Sequence, residues 1–219
     1  MLIDSYRFAS AAADPLAGFT WYWRFESDSI VGLNDGDAVG TWPDTSGNAR
    51  DATQGTAGDK PIYKTAIMNG QPSVRFDGAS SRRLATASVT VLSQAYTAFI
   101  LGSFSSLGSG NSQLCDGIGG SNRLAFYRTS SSGLDVYAGG SVGPVNIGQS
   151  DNVQALFSVH VNGASTVVRR NGGNKTTGNA GAQGLTGLTI GNRYAATFQS
   201  AEYVTAILIA TSNLSLADT

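Results

Sequence analysis

Apolar and polar positions alternate over short stretches of this chain, and Gly, Asn, Asp and Ser separate the stretches. Trp21, Trp23 and Phe25 alternate with Tyr22, Arg24 and Glu26, which predicts a strand with one apolar face. Val74-Arg75-Phe76 reads as a short strand closed by the turn pair Asp77-Gly78. Thr97 to Phe104 reads as a buried strand. Leu124 to Tyr127 and Leu134 to Tyr137 are two more, joined through a Ser-rich turn at Thr129 to Gly133. Val153 to Val161 and Ser165 to Arg170 flank Asn162-Gly163, a strong hairpin signal because both residues tolerate positive φ. Leu188 to Ile190 and Tyr203 to Ile209 complete the set. No segment keeps a 3.6-residue apolar period over three turns, and Pro15 interrupts the one short candidate, Ala11 to Leu16. Strands without helices predict two packed sheets or a closed barrel. The glycine-rich piece Asn171 to Gly187 reads as one long mobile loop, with a binding loop as the second reading.

Length and composition narrow the picture. A chain of 219 residues suits one large all-β domain. Net charge is −1 and only 13% of residues are charged, which leaves no electrostatic case for nucleic acid or an anionic membrane as partner. Cys115 is the sole cysteine, so disulfides within the chain and a thiolate zinc cluster are excluded. His160 is the sole histidine, which excludes a multi-histidine metal site and leaves a strand histidine as its reading. Asp4 and Arg7 stand where a secretion signal needs an apolar core, so synthesis in a cytoplasm without export is expected. The run Ala206 to Ala210 is too short to span a bilayer.

The densest local signal is Thr41 to Gln54, TWPDTSGNARDATQ. As a calcium loop, Asp44, Ser46 and Asn48 have alternating oxygen spacing. Ala49 then stands where an EF-hand needs glycine, and Gly55 where it needs a bidentate glutamate. A different calcium site would use Asp44, Asn48 or Asp51, and calcium is the one cofactor these residues suggest. As a catalytic loop it lacks a partner base. As a structural turn everything fits. Ser46-Gly47-Asn48 tolerates positive φ, the Asp44 carboxylate accepts backbone N–H groups, and Trp42 anchors the loop in the core.

A resemblance runs through the same region. The pattern Trp42-x-Asp44-x-Ser46-Gly47-Asn48, then Asp51-Ala52-Thr53-Gln54, Lys60-Pro61-x-Tyr63 and Asn69 to Gly78, resembles the laminin-G-like, concanavalin A-like jelly-roll domains common in phage and bacterial proteins. Ala201 to Ile209 followed by Thr211 to Ala217 is similar to that family's last core strand and its Leu-Ser-x-Ala segment. Between Thr86 and Ala182 only the strand pattern agrees. The resemblance implies an all-β fold, an antiparallel two-sheet jelly-roll sandwich over residues 17–219, preceded by an arm or edge segment over 1–16. The opening Met-Leu-Ile-Asp-Ser-Tyr-Arg-Phe, directly before such a domain, resembles phage virion proteins. It implies a capsid decoration or tail-associated protein of the virion, made in the host cytoplasm. Other virion subunits would be its partners, a homo-oligomer (a trimer foremost) its assembly, and Leu2, Ile3, Tyr6 and Phe8 its docking contacts.

Two alternatives accompany that expectation. One is a glycan-binding adhesion module for host surface glycans, with Tyr127, Tyr137 and Tyr194 as aromatic contacts, although each sits in or beside a strand where a core position is the commoner reading. The other is a jelly-roll glycosidase, which needs two carboxylates across a cleft. Enzymes of that fold carry Glu-x-Asp-x-x-Glu, and here Glu26-Ser27-Asp28 leads to Val31 instead. Gly139 to Gly143 spells Gly-x-Ser-x-Gly, but Pro144 follows and no helix is predicted to form the required elbow. On these grounds the chain is expected not to be an enzyme.

Overall fold

The computed structural model describes residues 19–78, 81–104, 112–128, 133–145, 151–173, 175–196 and 201–211. Sixteen strands run through them: β1 (Trp21–Glu26), β2 (Thr41–Trp42), β3 (Ala52–Thr53), β4 (Ile62–Met68), β5 (Gln71–Asp77), β6 (Leu84–Thr86), β7 (Tyr96–Phe104), β8 (Ser112–Asp116), β9 (Ala125–Arg128), β10 (Leu134–Tyr137), β11 (Ser141–Val145), β12 (Ala155–Val161), β13 (Thr166–Arg170), β14 (Lys175–Gly178), β15 (Thr189–Ile190) and β16 (Ala201–Ala210). All pairings between them are antiparallel. The first sheet has the order β14-β13-β12-β7-β16-β5-β4, with β1 also beside β16. The second has the order β11-β10-β9-β8-β15-β6-β3-β2. The expected two-sheet sandwich is therefore the observed one. The expected arm over residues 1–16 and the Thr211 to Ala217 segment fall almost wholly outside the described residues, Thr211 excepted.

The core lies between the sheets. Trp23, Phe25, Val74, Phe76, Ile100, Phe104, Phe157, Val159, Ile207 and Ile209 enter it from the first sheet. Trp42, Leu84, Leu114, Phe126, Leu134, Val136 and Ile190 enter from the second. A smaller apolar cluster, Trp21, Leu101, Ala206, Leu208 and Ala210, gathers on the other face of the first sheet. Strand β16 feeds both clusters. Val204, Ile207 and Ile209 point into the core, whereas Ala206, Leu208 and Ala210 point away. Val204 and Ile207 share a face three residues apart because the ladder with β7 shifts register between Val204 and Ala206. The extra residue, Thr205, is buried, and its hydroxyl shares a 2.7 Å hydrogen bond with Ser73. Gly102 lies opposite this bulge. A Cβ there would stand 2.6 Å from the Tyr203 carbonyl oxygen, so glycine is required by the close approach of backbone.

The loop Thr41 to Gln54 is the structural turn. The Asp44 carboxylate accepts N–H groups from Arg24 (3.0 Å), Ser46 (3.0 Å) and Arg50 (3.1 Å), and the Ser46 hydroxyl (2.8 Å). The Asp51 carboxylate accepts the Asp44 N–H, and the Asn48 amide donates to the carbonyls of Trp21 and Tyr22. Gly47 and Ala49 take positive φ. Trp42 is fully buried and donates its indole N–H to the Glu26 carbonyl at 3.0 Å.

Two sequence expectations need correction. The hairpin between β12 and β13 turns over four residues rather than on a two-residue Asn-Gly pair. His160 pairs with Val167, and a 3₁₀ turn spans Gly163–Ser165. The turn is set from both sides: Gln94, outside the hairpin, accepts the Gly163 N–H, and Thr166, within it, accepts from Asn162 and donates to Gly163. Asn171 to Gly187, expected as a mobile loop, contains the edge strand β14 and a segment tied into the second sheet. Ala180 and Leu185 are fully buried, the Ala180 carbonyl accepts from Ala138 and Gly140, and Leu185 exchanges hydrogen bonds with Leu92. The sequence Lys-Thr-Thr-Gly carries no apolar alternation, so β14 was invisible to a periodicity argument.

Two substitutions test this account by thermal denaturation. Gly102→Ala is expected to cost about 1–3 kcal/mol through overpacking against backbone. Asp44→Ala strands buried N–H donors and is expected to cost about 1–3 kcal/mol. Each kcal/mol lowers Tm by about 2–4 °C in a chain of this size. Calcium is expected to leave the wild-type Tm unchanged, because the Asp44 oxygens are already occupied by donors.

Candidate functional site

Alternation in the second sheet sends one set of side chains away from the core. In β9 and β10, Phe126, Leu134 and Val136 are core residues, so Tyr127, Asp135 and Tyr137 stand on the outer face. Strand β8 shifts register between Gln113 and Cys115, which lets Leu114 and Cys115 both join the core and leaves Asp116 on the outer side. The following turns supply Arg123 and, after β15, Arg193 and Tyr194. The three sequence-predicted tyrosines are thus partly exposed on one face rather than buried in the core.

Arg123 is the hub of this face. Its guanidinium carbon lies 5.0 Å from the ring centre of Tyr137 and 4.9 Å from that of Tyr194. Arg193 lies 5.5 Å from the Tyr194 ring. Such contacts contribute roughly 0.5–2 kcal/mol each, depending on how far they are desolvated. Asp116 fixes the hub from below. Its carboxylate is fully buried and takes a bidentate pair from Arg123, Nε at 2.9 Å and Nη2 at 2.8 Å, together with the N–H groups of Gly117 (2.7 Å) and Tyr194 (3.2 Å). Burial pulls the Arg123 guanidinium down, and the Asp116 hydrogen bond and charge outweigh it, so Arg123 is held above its ordinary value. Gln183 accepts the Arg123 N–H at 3.3 Å, and Gln94 ties Gly181 and Gln183 in place. Beside this group, Asp135 is buried and accepts from the Ser141 hydroxyl at 3.1 Å. Burial raises its pKa, and burial together with the Asp135 charge raises that of Tyr127.

Asp116, Arg123, Asp135 and Arg193 were not among the sequence-predicted site residues. Asp116 was legible only as the neighbour of Cys115, and Arg123 sits in a polar turn with no periodicity to mark it. The other candidates find structural roles. Asp44, Asn48 and Asp51 meet in one loop but point at protein donors and acceptors, and among the described residues no group of three or more His, Cys, Asp or Glu is arranged to hold a metal. Glu26 pairs with Arg24 at 2.7 Å, and Glu202 is fully buried. His160 shares a hydrogen bond with Thr97 in the strand pair β7–β12, and burial lowers its pKa. Burial drives the Cys115 thiol far above its usual range, which removes thiolate reactivity. Gly139 to Gly143 runs through a turn into β11, not into a helix. Leu2, Ile3, Tyr6 and Phe8 lie outside the described residues.

No protein-family model matches this sequence, and no curated protein matches it by sequence. Solved structures share the fold. Trypanosoma rangeli sialidase in complex with sialic acid aligns with 94% of this chain and 33% of its own, at 15% identity and a TM-score of 0.62. The same sialidase with the inhibitor DANA gives 17% identity and a TM-score of 0.62 over 96% of this chain and 33% of its own. Domain 4 of a GH43 extracellular arabinanase from Geobacillus stearothermophilus, in complex with arabinotriose, aligns over 91% of this chain and 96% of that domain, at 10% identity and a TM-score of 0.62. The chain spans about a third of the length of the sialidase chains it resembles. The likeness is one of fold, a β-sandwich. It also corrects the expectation that the chain is not an enzyme. That expectation rested on failed matches to particular motifs, the paired-carboxylate and Gly-x-Ser-x-Gly patterns, whereas the fold recurs inside a sialidase and in a domain of an arabinanase.

The buried Asp135 gives a pH test. Its raised pKa means that folding favours the acid form. The stability it contributes is present below the ordinary carboxylate range, about pH 4, and is lost as pH rises through the raised value. Asp135→Asn is therefore expected to raise Tm relative to wild type at pH 7, with the difference closing in acid, as read from paired melts across pH.

Proposed function

We propose that this chain is a glycan-binding β-sandwich module, and that the outer face of its second sheet is the binding surface. The observation that carries the reading is the placement of Tyr137 and Tyr194 around Arg123 over a buried carboxylate, with Tyr127 beside Tyr137 on the same partly exposed face of the β9–β10 ladder. Tyrosine offers a large rigid apolar ring for the C–H face of a sugar and a hydroxyl for its polar edge. Ser141 and Arg193 supply hydrogen-bonding groups at the margin. Support also comes from the fold neighbours, which include a sialidase solved with sialic acid and an arabinanase domain solved with arabinotriose.

A finer reading places this module on a phage virion, with other virion proteins as partners, self-association as a trimer and synthesis in the host cytoplasm. It rests on the resemblance of the N-terminal octapeptide and of the Trp42 to Gly78 block to such proteins. Mass spectrometry of purified virions, with a copy-number estimate, is its test; absence from the particle would sink it.

For the binding reading, a glycan array probed with the whole chain is expected to show selective retention of a small set of glycans. Tyr137→Ala is expected to lose about 1–3 kcal/mol of binding, by analogy with the loss of a stacked aromatic contact, while the variant still melts cooperatively, with Tm lowered only by the lost Arg123 contact, roughly 0.5–2 kcal/mol. Loss of folding with unchanged binding per folded molecule would overturn the assignment of this face.

A further inference from the structure

We infer that this face takes an uncharged oligosaccharide, and that Asp116 and Arg123 act as a positioning pair that spaces the tyrosines instead of serving as a receptor for an anionic sugar. The inference rests on the glycan-binding reading above.

Charge is the first argument. A carboxylated sugar needs a cation whose donors are open to it. Arg123 is the cation at the centre of the face, and it commits Nε and Nη2 to Asp116 at 2.9 and 2.8 Å. Its guanidinium lies over the rings of Tyr137 and Tyr194, and its charge is matched from below by Asp116. Arg193 lies 5.5 Å from the centre of the Tyr194 ring. Arg83, further along the sheet, donates to the Tyr194 carbonyl at 3.3 Å. On the other flank Asp135 stands directly opposite Tyr127 in the β9–β10 ladder, where its charge disfavours a second carboxylate. A neutral ligand meets none of these costs.

Spacing is the second argument. Tyr127 is paired with Asp135, and Tyr137 lies two residues on in β10, so the two tyrosines are diagonal neighbours, roughly 7–8 Å apart in an antiparallel pair. Tyr194 lies against the same guanidinium as Tyr137. Three aromatic groups on one face exceed the footprint of a single sugar ring. Tyr194 carries guanidinium contacts from Arg123 and Arg193, and Tyr137 carries one from Arg123, while all three rings keep part of their surface exposed. The width of one guanidinium sets the gap, and a lysine cannot reproduce it, having neither the planar fork nor the stacking surface.

The test is an array of uncharged arabino-, xylo- and gluco-oligosaccharides beside sialylated and uronate-bearing glycans, probed with the whole chain at two salt concentrations. Binding is expected on uncharged chains of two or more sugars, with affinity changing less than about twofold between about 0.05 and 0.5 M NaCl. Arg123→Lys is expected to weaken that binding about tenfold in a variant that still melts cooperatively. Asp116→Asn, if folded, uncovers the Arg123 charge and is expected to shift retention toward carboxylated glycans in a salt-sensitive way, which a merely structural role would not do. Wild-type retention confined to anionic glycans and abolished by salt overturns the inference while leaving the glycan-binding reading intact. Unchanged affinity in folded Arg123→Lys overturns the positioning role. No retention of any glycan overturns both readings.

Discussion

The ladder along β16 is the constraint on which the first sheet depends. On one side this strand pairs with β7 over nearly its whole length. On the other it pairs with β5 through its first half and β1 through its second, so two strands far apart in sequence share one edge. The bulge at Thr205 keeps the ladder with β7 in phase, and a second register shift, between Trp21 and Trp23, adjusts the ladder with β1. Without the Thr205 bulge, Ile207 and Ile209 would turn away from the core, because a one-residue slip inverts every side chain in a strand. The Ser73 hydroxyl and the bare backbone of Gly102 are the two local conditions that let the bulge exist.

The second sheet makes a different use of the same alternation. Its inner positions fill the core, and its outer positions carry aromatic and charged side chains that the core does not need. Their order comes from one buried carboxylate. Asp116 holds a side chain, Arg123, and two backbone N–H groups, from Gly117 and Tyr194, so the β8–β9 and β15–β16 connections are referenced to a single point. A buried ion pair of this kind is weak evidence for stability and better evidence for a fixed arrangement.

Much of the fold was legible in the pattern. Trp21 to Glu26 announces itself by strict alternation, and Thr97 to Phe104 and Tyr203 to Ile209 by dense apolar runs. The loop around Asp44 was legible through its turn chemistry. What escaped was written in other terms. Strand β14 lacks apolar residues, and β2, β3 and β6 are too short for a period to show. The packing of Gly140 against Asn179 and Gly181 depends on the absence of side chains, which leaves no hydrophobic signal. The three tyrosines were named from residue type alone. Their placement on one face required the register of β9 against β10, and the arginine beside Tyr137 and Tyr194 came from a turn that no pattern marks.

Because Arg123 is clamped by Asp116 and flanked by rings, its rotamers are already spent in the free protein. A long side chain that must be frozen on association costs about 0.5–1.5 kcal/mol in lost freedom. Here that loss is borne once, during folding. A ligand arriving on this face would find its contact surface ordered beforehand, and its association entropy would be set by its own flexible linkages and by released water, with little drawn from the protein.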